Sequence, residues 1–247
     1  MKNYNFLSNI FSRIIFFLIG FTIPIESFAA ETQNNMNILN VINPSSTFVL
    51  ISLLSFIPFV LVAMTTFIRN VIVLSMMRQA LGLQQSPPNI VLILLSFFLV
   101  LVVMGSTFEQ INIVALQPYI SNQIDTKDFV IRAWEPLKIF MVSQTHQSDI
   151  KLIYEITKEA FPVEPNKVSA IKLIPAFMLS ELKVAFQMGF VILLPFLIID
   201  IIVASILMSL GMIMVPPITI SLPIKLLLFL LIDGWSLLFE VLIKSTY

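Results

Sequence analysis

The segment Leu207-Met-Ser-Leu-Gly-Met-Ile-Met-Val-Pro-Pro217 decides how this chain folds, because it interrupts the longest apolar part of the sequence. Residues 184–239 around it contain only three ionisable side chains, those of Asp200, Lys225 and Asp233. Charges inside a membrane are costly and mark partners or pathways. A broken helix at membrane depth is tolerated where protein or water covers it. We therefore expect this segment to pack against other protein, and it is a candidate for lining a passage.

The composition indicates a membrane protein. Of the 247 residues, 58% are hydrophobic and 11% are charged, whereas a soluble domain has about 25% charged residues. The formal net charge is zero, which gives no electrostatic case for binding nucleic acid. The chain has no cysteine and one histidine, which excludes disulfides, thiolate metal sites and a histidine metal cluster within one chain. No cofactor is expected.

The N-terminal residues 1–29 predict a cleaved signal peptide. Lys2 and Arg13 flank an apolar core, and Ser27-Phe28-Ala29 places small residues at the spacing of a cleavage site. An uncleaved first membrane helix is the alternative. It is less favoured because the apolar run of about 12 residues is short of the ~20 that span a bilayer. A polar lead-in follows at residues 30–47.

Residues 48–108 predict a first hydrophobic helical hairpin, because they contain two uncharged runs that are each long enough to span a membrane. The loop between the two runs, residues 69–89, contains Arg69 and Arg78 and no acid. Because basic loops favour the cytoplasmic side, we expect this loop to lie in the cytoplasm.

Residues 109–183 have a different composition, with 9 of the 14 acids and 8 of the 14 bases. Between residues 149 and 159, apolar residues recur at helical spacing and charges alternate, which is typical of a solvated helix face. We expect a water-facing region that is helical in pieces and periplasmic. His146 within it is interpreted as a surface histidine. Residues 184–247 then form a second hydrophobic hairpin with the Met/Pro-Pro segment at its tip, and the whole fold is all-α.

The sequence offers little support for catalysis. It contains no zinc-protease, nucleophile-elbow, phosphate-loop or dinucleotide motif, so neither an enzyme nor a metal site is predicted. The intramembrane charges allow one other function. Asp200, Lys225 and Asp233 are candidates for the proton relay of a proton-coupled small-solute transporter, although no inverted repeat is visible.

A buried lysine at position 225 needs an anionic partner, since an unpaired buried charge is strongly disfavoured. Glu181, Asp200 and Asp233 are all candidates, in the same chain or in a neighbouring copy. Alternatively, the long Lys225 side chain extends to the membrane interface.

The methionines of the tip have two interpretations. Met208, Met212 and Met214 could fill a core or face lipid, which the sequence alone favours. They could also form a pliable constriction, because methionine repacks around different shapes and because Gly211 and two prolines stand beside them.

Several stretches are similar to one known family, and the similarity covers the chain from about residue 48 onward. The stretches are Arg69-Asn-Val-Ile-Val-Leu-Ser-Met-Met-Arg-Gln-Ala-Leu-Gly82, Gln85-Ser-Pro-Pro-Asn89, Ile174-Pro-Ala-Phe-Met-Leu-Ser-Glu-Leu-Lys-Val-Ala-Phe-Gln-Met-Gly-Phe190, Leu194-Pro-Phe-Leu-Ile-Ile-Asp200, Gly211-Met-Ile-Met-Val-Pro-Pro217 and Ser221-Leu-Pro-Ile-Lys-Leu-Leu-Leu-Phe-Leu-Leu-Ile-Asp-Gly-Trp235. They resemble the FliP family of flagellar export-gate proteins.

This resemblance implies a channel-forming subunit of the flagellar type III protein export gate, without enzymatic activity. Such a subunit lies in the bacterial inner membrane, in the flagellar basal body, and unfolded flagellar proteins pass through it. The resemblance implies five copies that form a helical cone with FliQ-like and FliR-like subunits. FlhA-, FlhB- and FliO-like proteins are further partners. The export subunit of virulence type III secretion is the alternative, but the signal peptide and the lead-in favour the flagellar branch.

The resemblance also assigns residues to a constriction. It places the narrowest part at Met212, Ile213 and Met214, beside Met208 and Gly211. Many relatives have three methionines there, whereas the middle residue here is Ile213, whose β-branched side chain is stiffer. The constriction is therefore expected to be less pliable at that position, unless the isoleucine faces away from the lumen.

Finally, the resemblance implies an ion pair between subunits, carried by Glu181 and Lys225. Asp200 and Asp233 remain as further intramembrane charges without an assigned partner.

Overall fold

The computed structural model describes residue 59 and residues 62–162, 168–212 and 214–246. The predicted signal peptide, the lead-in, most of the first apolar run and Ile213 lie outside these ranges. All regular structure in the described part of the chain is helical, without a strand, which confirms the all-α prediction.

The helices follow one another with short connections. They are α1 (Phe67–Ala80), α2 (Asn89–Val103), α3 (Gly105–Ile111), a π-helical turn (Asn112–Leu116), α4 (Gln117–Ile120), α5 (Thr126–Gln144), α6 (Gln147–Ile156), α7 (Ala170–Ser209), α8 (Ile218–Leu231) and α9 (Gly234–Lys244).

Helix α7 is the central element. It has 40 residues, and at 1.5 Å per residue it is about 60 Å long, roughly twice the ~30 Å hydrocarbon core of a bilayer. Among the described residues it is the one helix that is long and apolar enough to cross a membrane alone. Two bent pairs, α2 with residues 105–120 and α8 with α9, reach such a length only together, and each is bent by 65°.

Helix α1 occupies part of the segment that was predicted to be a basic loop. The structure differs from that prediction because residues 67–80 carry an apolar face. Val73, Leu74 and Met77 on this face are almost fully buried, and α1 packs more extensively against α7 than any other helix does. Since burying this face requires a helical period, only the residues after Ala80 form a loop.

The last apolar run is divided at Asp233. This residue adopts a left-handed conformation, with φ 50° and ψ 54°, which aspartate tolerates better than most residues. A Cβ atom on the next residue, Gly234, would lie 2.0 Å from the ring of Phe229. A side chain there would have to displace this ring, and the run turns at Asp233 instead of continuing as one helix.

The described residues form two main hydrophobic cores. The first lies under α1, α2 and the apolar hairpin, and includes Leu74, Met77, Leu92, Ala185, Phe196, Phe229 and Leu242. The second lies in the charged region, between α5, α6 and the first half of α7, and includes Met141, Ile150, Tyr154, Leu173 and Phe177. The long helix therefore connects an apolar half with a charged half that has its own core.

Candidate functional site: the hairpin tip and the ion pairs beneath it

The end of α7 is a glycine cap. Gly211 has a φ of +75°, a conformation that is unfavourable for residues with a Cβ atom. Its N–H donates to the carbonyl of Met208 at 3.1 Å, and the N–H of Met212 donates to the carbonyl of Leu207 at 3.0 Å. These bonds satisfy carbonyls that the last turn of a helix leaves without partners. The chain therefore leaves α7 in a fixed direction.

The start of α8 is equally defined. Pro216 and Pro217 cannot donate main-chain hydrogen bonds, and the first helical turn is where that lack matters least. Their carbonyls accept the N–H groups of Thr219 and Ser221 at 3.1 and 3.0 Å. We refer to residues 207–217 as the tip, and its described parts, residues 207–212 and 214–217, end one apolar helix and lead into the next.

The three methionines of the tip point away from the core. Met208 is 65% exposed, Met212 44% and Met214 96%, so the structure excludes the interpretation that they fill the core of this chain. Gly211 is exposed as well, with nothing within 4 Å of the position that a Cβ would take.

Lys225 of α8 has its anionic partner within the same chain. The ammonium lies 2.6 Å from Oδ2 of Asp200 on α7 and donates to the carbonyl of Ala80 at 3.1 Å. The lysine is 4% exposed, which excludes an extended side chain that reaches a membrane interface. This contact ties both helices of the apolar hairpin to the end of α1.

Arg69 and Glu181 form a second ion pair, which is buried. The Arg69 Nε donates to Glu181 Oε2 at 2.9 Å, and the arginine Nη2 contacts the other carboxylate oxygen. The remaining guanidinium nitrogen donates to the carbonyl and hydroxyl oxygens of Ser245, at 3.1 and 3.0 Å. The two parallel bonds from the guanidinium to the carboxylate are strong and directional, and the guanidinium also contacts Ser245. They join α1, α7 and the C-terminal end of the chain.

These contacts bear on the charges singled out in the sequence. Arg69 was predicted to lie in a cytoplasmic loop. It lies in α1 and pairs with Glu181, and its place on the cytoplasmic side stays a prediction. Glu181 and Lys225 were predicted to pair between subunits, and each has a different partner within this chain. The predicted pair joins Glu181 of one copy to Lys225 of a neighbouring copy, and it stays a prediction. Asp200 gains a partner, and Asp233 forms the turn between α8 and α9.

A polar cluster joins the charged region to α7. The Ser180 hydroxyl donates to Asp149 Oδ2 at 2.6 Å and accepts the main-chain N–H of His146 at 3.0 Å. Lys183 contacts the other oxygen of Asp149. Burial acts to raise the pKa of Asp149, but the hydrogen bonds from Lys183 and Ser180 and the charge of Lys183 lower it below its ordinary value.

This cluster contains a serine, a histidine and an aspartate, but not the arrangement of a nucleophile with its base. Ser180 is fully buried and binds the carboxylate directly, while His146 contributes its main-chain N–H. A nucleophile needs its hydrogen bond to the basic side chain and access to substrate. His146 itself is exposed, as predicted. The described residues also contain no group of three or more His, Cys, Asp or Glu side chains that could hold a metal ion.

Sequence reasoning missed the partners of α7. Ser180, Glu181 and Lys183 stand close together in an apolar helix, which signals polar contacts on that helix, and the structure supplies Arg69 and Asp149 as the groups they bind. The identity of these partners was not visible, because Arg69 is 112 positions from Glu181 and Asp149 is 31 positions from Ser180.

Comparison with known proteins gives one family. The sequence model of the FliP family matches residues 50–242. A flagellar biosynthetic protein FliP from Bacillus subtilis strain 168 is 48% identical over 206 residues, which are 82% of this chain and 93% of that protein. The protein of that name from Pectobacterium carotovorum is 46% identical over 201 residues, 81% of this chain and 78% of the relative. The one from Aquifex aeolicus is 42% identical over 208 residues, 83% and 87% of the two chains.

Proposed function

Because the chain belongs to the FliP family, we propose that it is a membrane subunit of the flagellar protein-export gate and that its hairpin tip lines the constriction of that gate. One observation supports the proposal that the tip lines the constriction. Three methionines project from a turn whose entry and exit are both fixed, at the meeting point of two apolar helices. Methionines that filled the core of this chain would be buried instead.

The chemistry of methionine suits a seal that must open for protein. Apolar constrictions exclude ions by dewetting. A thioether chain with three rotatable bonds adapts to whatever shape passes through. Such a surface discriminates little by sequence, which fits the export of many different unfolded flagellar proteins. The stiffer Ile213 between Met212 and Met214 is expected to make the seal less adaptable at one position.

We also propose the assembly that this role requires. Five copies of the chain join FliQ-like and FliR-like subunits in a helical cone, with FlhA-, FlhB- and FliO-like proteins as further partners. The assembly lies in the inner membrane, in the flagellar basal body, with the charged region on the periplasmic side. The exposed tip and the exposed apolar stripe of α7, which includes Phe186, Phe190, Ile198 and Ile202, leave surface for such neighbours.

The two alternatives are not favoured. A solute transporter would use Asp200, Lys225 and Asp233 as a relay, but Lys225 and Asp200 neutralise each other in a direct contact while Asp233 shapes a turn. The virulence type of export subunit is not favoured because the relatives reported above are flagellar proteins by name. Catalysis is not part of the proposal.

Complementation and purification test this function. In a bacterium that lacks its own FliP-family protein, this chain is expected to restore flagellar assembly and swimming. In mild detergent it is expected to co-purify with two small hydrophobic subunits. A chain that is produced at normal level, purifies alone and transports a solute in liposomes would contradict the proposal.

A further inference from the structure

The loop after α1 lies against the start of α8, close to the tip. An ideal Cβ on Gly82 would be 3.8 Å from the Cδ1 atoms of both Ile218 and Leu222. Ile218 is the first residue of α8 and directly follows Pro217. We refer to residues 81–88 as the α1–α2 loop. It connects two helices that contribute nothing to the tip itself, yet it lies beside the helix that leaves the tip.

This loop is closed by Arg78. The guanidinium donates to the carbonyl of Pro87 at 3.0 Å and to the side-chain oxygen of Asn89 at 2.7 Å. The loop begins with a helix cap, in which Gly82 has a φ of +77° and the N–H of Leu83 donates to the carbonyl of Arg78 at 3.2 Å. One arginine therefore holds both ends of the loop, through its own main chain and its side chain.

The end of α1, directly before the loop, also binds α8. Lys225, two turns further along α8, donates to the carbonyl of Ala80 at the end of α1. Ala80 and Leu81 are buried in the apolar core. Gly82 lies beside Ile218 and Leu222, and Lys225 binds Ala80, so the end of α1 and the loop lie along one face of the first two turns of α8. Because main-chain position in a helix is transmitted along its rigid turns, fixing these residues also fixes Pro216 and Pro217 before them.

We propose that the α1–α2 loop is a positioning element that holds the start of α8 and thereby keeps the tip closed. This inference rests on the proposed function, in that closure refers to the constriction at the tip. It assigns Arg78 a role that differs from the predicted cytoplasmic charge. Arg78 keeps the loop in shape, and Gly82 allows the left-handed turn with which the loop begins.

The test compares Arg78→Gln with Arg132→Gln, which makes the same change on the exposed side of α5. Asn89→Ala is a milder second variant that removes one acceptor of Arg78 and leaves no buried charge. Two quantities are measured in the assembled gate: hydrogen exchange of the main-chain N–H groups of residues 218–222, and ion leakage across the membrane. Met212→Asp serves as a direct disturbance of the tip.

We expect both loop variants to assemble, to exchange residues 218–222 about tenfold faster and to leak ions, while Arg132→Gln resembles the natural chain. Unchanged exchange in both loop variants overturns the inference. If the loop variants exchange faster but do not leak ions, while Met212→Asp does leak, the inference about the loop is overturned. The proposed function stands in that case. If Met212→Asp stays tight, the constriction at the tip is wrong, and the claim of closure falls with it.

Discussion

Lys225 and Asp200 connect the two helices of the apolar hairpin, with the ammonium 2.6 Å from Oδ2 although the residues are 25 positions apart. The ammonium is buried, while the carboxylate is 39% exposed. The lysine also binds the end of α1 through the carbonyl of Ala80. A single ion pair therefore sets how α7, α8 and α1 lie beneath the tip.

Reversing this pair tests which carboxylate Lys225 needs. Lys225→Glu should prevent assembly, because it places two carboxylates side by side. Adding Asp200→Lys should restore it by recreating the pair in the opposite sense. The amount of assembled complex in mild detergent is the measurement. Rescue by Glu181→Lys instead would favour the pair between subunits and contradict the pairing within the chain.

The Arg69–Glu181 pair should matter more for stability than any exposed pair. Glu181→Gln leaves the buried guanidinium without its counter-charge, and breaking a buried pair costs about 3–5 kcal/mol. Thermal unfolding of the purified chain in detergent should show a large loss. Glu240→Gln is the matched control, because its partner Lys244 and the glutamate are both exposed. Equal losses of stability in the two variants would show that the buried pair contributes no more to stability than the exposed pair.

The lowered pKa of Asp149 predicts a pH dependence. Because this pKa is lower in the folded state, the carboxylate contributes stability above its ordinary pKa of about 4. That contribution disappears as the pH falls through the lowered value. Relative to Asp149→Asn, the natural chain should be more stable at neutral pH and should lose this advantage in acid.

Unfolding temperatures of both chains between neutral pH and about pH 3 measure this difference. The exposed Glu135→Gln change on α5 is the control, and it should leave the pH profile parallel to that of the natural chain. A constant difference between Asp149→Asn and the natural chain at all pH values would contradict the prediction.

The left-handed turn at Gly211 gives a conformational test of the tip. Gly211→Ala should be destabilising by about 1–2 kcal/mol, since a residue with a Cβ is strained at this φ. The strain should reorient Met212 and reduce secretion, although open space surrounds the position. Gly105→Ala is the control, because it has equal space and no positive φ. Normal secretion by Gly211→Ala would show that export does not depend on the left-handed conformation at Gly211.

The sequence predicted the helical class and drew attention to the tip, because apolar runs, a glycine and paired prolines act locally. It did not predict that α1 is a helix within the basic segment, since this depends on a face that is buried against distant helices, chiefly α7. The choice of Asp200 for Lys225 depends on the register of the hairpin, and three carboxylates fitted equally well. Arg69 was counted as a loop charge because its partner lies 112 positions away.

The bend before α9 shows the same limit. Residues 226–239 form an apolar run that is typical of a continuous helix, but Asp233 adopts the left-handed conformation and Gly234 accommodates the ring of Phe229. An Asp-Gly pair is a turn signal, and the structure places the bend at that pair. Ile213, the position that departs from many relatives, lies outside the described residues, and its effect on the seal stays a prediction.

Ion leakage through the assembled gate shows whether the tip forms the constriction. Membranes that contain the complete complex are compared for the natural chain, for Met212→Asp and Met214→Asp, and for Ile156→Asp. Ile156 is an apolar position on α6 whose exposure, 68%, lies between those of the two methionines. We predict that all four assemble and that only the two tip variants conduct ions in the resting state. If both tip variants assemble and the membrane stays as tight as with the natural chain, the tip is not the constriction.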